Sequence, residues 1–169
     1  PPTPNSYGSA DNFLPGATTL GDILKEQGYN QTVMFGAEAA FGGLEYLFRQ
    51  HGDYKIMDWK YAHDNGMIPE DYYVWWGYED DKLYEFAKDE LTRLANEDKP
   101  FYFVMETADT HFPDGYLSEK ATAPFEKPYA NAIFYSQAEA AKFIRWIQSQ
   151  PFYENTTIVI NGDHLSMDQ

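Results

Sequence analysis

The sequence contains no cysteine. Disulfides, thiolate metal sites and cysteine nucleophiles are therefore excluded, and either side of a membrane stays open as the working compartment. Long apolar runs are also missing: none approaches the roughly 20 residues of a spanning helix, and no signal peptide is visible. Basic residues are scarce, with 12 Lys and Arg against 27 Asp and Glu, a net charge of −15. Phosphate backbones are bound by Lys/Arg clusters, and none is present, which argues against nucleic acid as a partner. The same charge disfavours spontaneous adhesion to anionic membranes. Internal repeats and low-complexity segments are absent. What is abundant is apolar and aromatic side chain, 43% and 18% of 169 residues. That is enough for one domain with a real core and excludes a disordered tail.

Helical and extended patterns alternate along the chain. Residues 1–16 are rich in Pro, Gly, Asn and Ser and read as a loop. Thr19-Leu20-Gly21-Asp22 is a capping-box pattern. Leu20, Ile23 and Leu24 then share a helical face, and Gly28 supplies the stop. A short strand is expected over 31–35 and a helix from Leu44 to about His51. Lys55 to Trp59 alternates weakly, the pattern of a further short strand, and 60–79 is aromatic and turn-rich, the composition of a packed flap or of an exposed binding platform. Glu79-Asp80-Asp81 reads as a solvated helix start, and the helix runs to about Asn96 with Leu83, Ala87, Leu91 and Leu94 inward. Phe101–Met105 reads as a buried strand, Tyr129–Gln150 as a long helix, and Thr156–Ile160 as a second buried strand. Continuous apolar strands alternating with helices predict an α/β fold with a mostly parallel sheet flanked by helices.

In such sheets chemistry collects beyond the carboxyl ends of the strands. Two predicted strands, 101–105 and 156–160, both run into an acid and a histidine there. Asp163 and His164 follow the second across Gly162. They offer an oxygen and a nitrogen ligand to a divalent cation, provided the backbone turns at Gly162. The alternative is that Asp163 caps a turn or helix and His164 is a partly buried side chain. His111 follows the first strand, in a loop with Asp109, Thr110 and Asp114. It is either a contact for substrate phosphate or a loop histidine held by Asp109 or Asp114. His51 and His63 read as structural or surface residues. Gly42-Gly43 could let backbone amides approach an anion. Ser6, Ser9 and Ser166 stand in no nucleophile pattern, so the residues alone name no nucleophile.

Gly162-Asp163-His164 together with Thr110-His111-Phe112-Pro113-Asp114-Gly115 resembles the lipoteichoic-acid-synthase-like phosphoglycerol transferases, in the sulfatase branch of the alkaline phosphatase superfamily. The resemblance extends over nearly the whole chain, through Phe13-Leu14-Pro15-Gly16, Leu20–Tyr29, Phe41-Gly42-Gly43, Gln50-His51-Gly52 and Ile68–Gly77. It implies that residues 1–169 form a partial sulfatase-like catalytic domain, lacking the N-terminal nucleophile segment and the C-terminal part. It implies one divalent cation, manganese in first place with magnesium or zinc as alternatives, with Asp163 and His164 among its ligands. It implies that His111 contacts the phosphoglycerol of phosphatidylglycerol. An upstream threonine outside this sequence would then carry the glycerol phosphate to a glycan or polymer hydroxyl. The full protein is expected on the outer face of the cell membrane, in the cell envelope, with a membrane tether. This segment alone is expected to be inactive. Leu44 stands where the family often has a phosphate-binding arginine, and Ala37 where a hydroxyl is expected. Those departures, with the aromatic run 72–78, keep a non-catalytic glycan-binding remnant open, and the same metal pair would also serve a sulfatase or phosphodiesterase of the superfamily.

Overall fold

The structure, a computed structural model, describes residues 12–164. Helix α1 (Leu20–Glu26) begins with the expected capping box: Thr19 and Asp22 exchange side-chain and backbone hydrogen bonds. Its expected apolar face is only partly used, since Leu20 and Ile23 stay exposed. The face it buries is that of Gly21. A Cβ there would lie 2.6 Å from both the His51 carbonyl and the Tyr54 hydroxyl, so closeness of approach, not apolar area, sets the packing of α1.

Strand β1 (Asn30–Phe35) follows, then a 3₁₀ turn over Phe41–Gly43, helix α2 (Leu44–Gln50) and strand β2 (Lys55–Met57). Helix α3 (Trp59–Asp64) lies inside the stretch expected to be turn-rich. Its start is set by Asp58, whose Oδ1 accepts the Tyr61 N–H at 2.8 Å. Helix α4 (Asp80–Ala95), strand β3 (Phe101–Glu106) and helix α5 (Pro128–Gln148) complete the regular elements, with a second 3₁₀ turn over Pro151–Asn155.

The three strands form one parallel sheet in the order β2-β1-β3, with Val33 opposite both Ile56 and Val104. This is the expected α/β arrangement. Alternation along the strands splits the core in two. Met34, Met57, Phe103 and Met105 pack toward Leu83, Ala87 and Leu91 of α4 and Phe143 and Ile147 of α5. Val33, Phe35, Ile56 and Val104 pack toward Tyr54 and toward Leu44 and Phe48 of α2. Helices on both faces bury every residue from Gln31 to Phe35, the polar Gln31 and Thr32 being held by side-chain hydrogen bonds.

Thr156–Ile160 departs from expectation. It makes no strand pairing among the described residues. Ile158 packs against the larger core cluster, but Val159 and Ile160 are 80% and 73% exposed. β-Branched residues favour extended backbone, yet a buried strand also needs a ladder partner and cover on both faces. Here Ile158 is the one apolar side chain of the stretch that finds cover. The acidic start of α4 departs too. Asp80 and Asp81 are buried, not solvated, and each is held by specific hydrogen bonds.

Candidate active site at the carboxyl ends of the strands

β1 and β3 end side by side, Phe35 opposite Glu106. Beyond β1, residues 36–43 meet the aromatic segment 74–78. The Tyr78 N–H donates to the Gly36 carbonyl at 2.9 Å, and Ala37 bridges to Gly77. This approach requires glycine at 77: a Cβ there would lie 2.1 Å from the Gly36 oxygen. The aromatic segment is thereby pinned over the strand ends as a packed flap. Trp75 Nε1 donates to the Ala108 carbonyl at 3.3 Å, tying it to the loop after β3. Trp76 lies between Phe41, at 5.9 Å between ring centroids, and His111, at 4.0 Å.

His111 is half-buried in that loop. Its backbone N–H donates to the Ala108 carbonyl at 2.9 Å, and its Nδ1 lies 2.6 Å from the Phe112 carbonyl. A carbonyl can only accept, so Nδ1 carries the proton and Nε2 is the ring atom presented to a substrate. Neither Asp109 nor Asp114 holds the ring. The Trp76 ring does, at 4.0 Å between centroids.

Asp163 and His164 sit in a bend and are both exposed. His164 Nε2 is 3.2 Å from Asp163 Oδ2. Ligand bonds of about 2.1 Å meeting at roughly 90–109° put two donor atoms about 3.0–3.4 Å apart, so this pair fits adjacent corners of one cation. Among the described residues no three His, Asp or Glu side chains are gathered as a metal cluster, so the pair stands without a third ligand of that kind. Glu106 is a further residue of this neighbourhood, beyond the candidates the sequence singles out. It stands at the exposed end of β3, yet its carboxyl is pushed above the ordinary range. Surrounding protein is the first cause and the Asp163 charge the second, opposed by His111 and His164. The four side chains therefore share one electrostatic neighbourhood at the sheet edge. A position at the end of a predicted strand was the available signal for Glu106.

Leu44 opens α2 and turns into the smaller core cluster beside Val33 and Phe35, so an aliphatic is accommodated there by packing. The Ala37 carbonyl accepts the Trp59 N–H at 3.1 Å, and Gly43 N–H is engaged by the Ala40 carbonyl. His51 is structural: it is buried, 3.1 Å from Asp22 and 2.6 Å from the Phe13 carbonyl. His63 stacks on Trp59 at 5.4 Å. Ser6, Ser9 and Ser166 lie outside the described residues.

Residues 2–168 match the sulfatase family. Phosphoglycerol transferase I of Xanthomonas campestris pv. campestris is 36% identical over 169 residues, covering 96% of this chain and 24% of the relative. Phosphoglycerol transferase I of Citrobacter koseri is 33% identical over 173 residues, covering 97% of this chain and 22% of the relative. The chain thus spans about a quarter of the length of these curated relatives. Among solved structures, an alkaline phosphatase superfamily protein from Vibrio parahaemolyticus matches with TM-score 0.66 at 26% identity, over 90% of this chain and 37% of that one. The lipoteichoic acid synthase LtaP from Listeria monocytogenes shares the fold, with TM-score 0.67 at 16% identity over 85% of this chain and 34% of that one. The chain belongs to the sulfatase family and has the α/β fold of the alkaline phosphatase superfamily.

Proposed function

We propose that this chain is part of a phosphoglycerol transferase that moves glycerol phosphate from phosphatidylglycerol to a glycan or polymer hydroxyl. The observation that carries the reading is the likeness to phosphoglycerol transferases across almost all of the chain, at 36% identity for the Xanthomonas campestris protein. The placing of His111, Asp163 and His164 around one sheet edge supports it. Asp163 Oδ2 and His164 Nε2 are the atoms that would hold a divalent cation, by expectation manganese. Such an ion, when bound, lowers the pKa of a hydroxyl nucleophile and neutralises phosphoryl charge. His111 Nε2 hydrogen-bonds a phosphoglycerol oxygen and steadies its charge, with Trp76 fixing the plane of the ring. A threonine outside this sequence displaces diacylglycerol from phosphorus, and the acceptor hydroxyl then displaces the threonine. The packed flap excludes water that would compete with the acceptor.

The lipid donor places the enzyme at a membrane, and the glycan acceptor places it on the outer, envelope side. Among the described residues no helix is long and apolar enough to cross a membrane. The test uses the full-length protein with labelled phosphatidylglycerol vesicles, Mn²⁺ and a glycan acceptor. Diacylglycerol release and labelled glycan are expected from the wild type. Losses of roughly 10²-fold or more are expected for Asp163→Ala and His111→Ala, on the scale of removing one transition-state contact. Asp163 is exposed, so loss of fold is not a competing explanation there. Hydrolysis of a sulfate ester without diacylglycerol release, or full activity in Asp163→Ala, overturns the reading.

A further inference from the structure

The first turn of α4 and the loop after β3 satisfy each other. Glu79, the N-cap residue, makes no side-chain cap hydrogen bond, so the first amides of the helix need other partners. The Asp80 N–H donates to Asp109 Oδ2 at 3.1 Å. In return Asp80 accepts with both oxygens, Oδ1 from the Ala108 N–H at 2.9 Å and Oδ2 from the Asp109 N–H at 3.1 Å. The rest of the loop hangs on these two residues. The Ala108 carbonyl accepts the His111 N–H at 2.9 Å, and the Asp109 carbonyl accepts the Tyr116 N–H at 2.7 Å. Trp75, which stacks beside Trp76, ends on that same Ala108 carbonyl.

Asp80 and Asp109 are 5% and 3% exposed, and among the described residues neither has a salt-bridge partner. Two buried acids without a cation are unfavourable for stability alone. We propose that Asp80 and Asp109 form a reciprocal clamp that sets the position of the His111 loop, and are positioning residues for substrate binding at that histidine. The proposal rests on the reading of His111 as a substrate contact.

The clamp is built to loosen as pH rises. Burial pushes both carboxyls above the ordinary range, and the charges of Asp81 and Glu79 add to that, as does Asp80 at Asp109. Facing them are the Tyr84 and Tyr116 hydroxyls and, around Asp81, Ser118, Tyr135 and Lys120. No cation touches the pair itself among the described residues. Below both raised values the clamp is neutral, and between them it holds one charge. Above them the second charge appears and repels the first.

The two carboxylates make different demands, and that asymmetry is the test. Asp80 accepts twice, so Asp80→Asn turns an NH₂ group toward a backbone N–H. Asp109 accepts once by side chain, so Asp109→Asn keeps its acceptor and loses only the repulsion. In the full-length protein, a loop that is competent for a fraction of the time raises apparent dissociation constants by the inverse of that fraction. Asp80→Asn is therefore expected to raise KM for phosphatidylglycerol roughly tenfold, with kcat within about twofold. Amide exchange over 107–116 should quicken roughly tenfold while α5 is unchanged. Asp109→Asn should stay near wild type in both, with the alkaline limb of kcat/KM moved to higher pH. Equal effects of the two variants, a kcat loss without a KM change, or faster exchange throughout the domain overturns the clamp. If Asp80→Asn does not fold, Asp109→Ala against Asp109→Asn replaces it, with loosening expected only in the alanine variant. If the wild type does not use phosphatidylglycerol, the functional reading fails, and the exchange comparison still decides the clamp.

Discussion

Glu90 anchors the amino-terminal end of the sheet, and replacing it with leucine measures a buried charge against the fold. Its carboxylate is 4% exposed and accepts four hydrogen bonds: from Thr32 Oγ1 at 2.8 Å, Lys55 Nζ at 3.1 Å, and Arg93 Nε and Nη2 at 2.8 Å each. Lys55 and Arg93 side chains are 35% and 45% exposed, so on losing Glu90 they turn into water, and together they account for about 1 kcal/mol or less. Thr32 is 1% exposed and cannot do so. Its stranded hydroxyl costs about 1–3 kcal/mol. Leucine keeps most of the volume, so no large cavity adds to this, and Glu90→Leu should destabilise by about 2–3 kcal/mol. Converting both partners removes the stranded group. Thr32→Val with Glu90→Leu should therefore recover about 1–2 kcal/mol of the summed single effects. Urea unfolding followed by circular dichroism at pH 7 gives the four free energies of the cycle. Burial raises the Glu90 carboxyl, but hydrogen bonds from Arg93, Thr32 and Lys55 outweigh it and hold the group below its ordinary 4.5. A depressed folded value means stability present above that pH and lost as pH falls, so the gap between wild type and Glu90→Leu should close in acid. Additivity within about 0.5 kcal/mol, or a gap that widens in acid, refutes the reasoning.

Gly77→Ala should loosen the flap, because the added methyl meets the Gly36 oxygen at 2.1 Å. The expected signs are a stability loss of about 2 kcal/mol or more and red-shifted emission from Trp75 and Trp76, read by fluorescence-monitored unfolding. His51 is raised above its ordinary 6.5 first by the Phe13 carbonyl and then by Asp22, against the opposing effect of burial. A raised folded value means stability fully present below about 6.5 and lost as pH climbs through the folded value, so the advantage of wild type over His51→Gln should shrink as pH rises above about 6.5. An advantage independent of pH, measured by thermal unfolding, would show that His51 is neutral throughout.

Several elements were legible because their causes are local. Thr19 to Asp22, Leu83 to Leu94 and Phe101 to Met105 carry a cap, a helical period and an apolar run within a few residues, and each forms where those patterns put it, although among the described residues Phe101 to Met105 is a half-buried edge strand and not the buried one expected. Asp163 and His164 were legible as a candidate pair because they are adjacent in sequence, and the fold sets their donor atoms 3.2 Å apart. α3 was hidden, because Trp59 and Tyr61 carry turn-like company and its cap depends on Asp58, which also binds the Ala39 N–H.

By itself the sequence determined a cysteine-free, acidic α/β chain with a parallel sheet, and a histidine in the loop beyond one of its strands. Composition and short-range periodicity suffice for that. Only the tertiary structure decided that Val159 and Ile160 stay uncovered, that Leu44 packs into the core, that Trp76 lies against His111, and that Asp80 and Asp109 are buried against each other. Each of those contacts joins residues far apart in sequence. Chain neighbours cannot encode whether a charged or apolar side chain will find a partner, because burial is settled by what the fold brings to the other side.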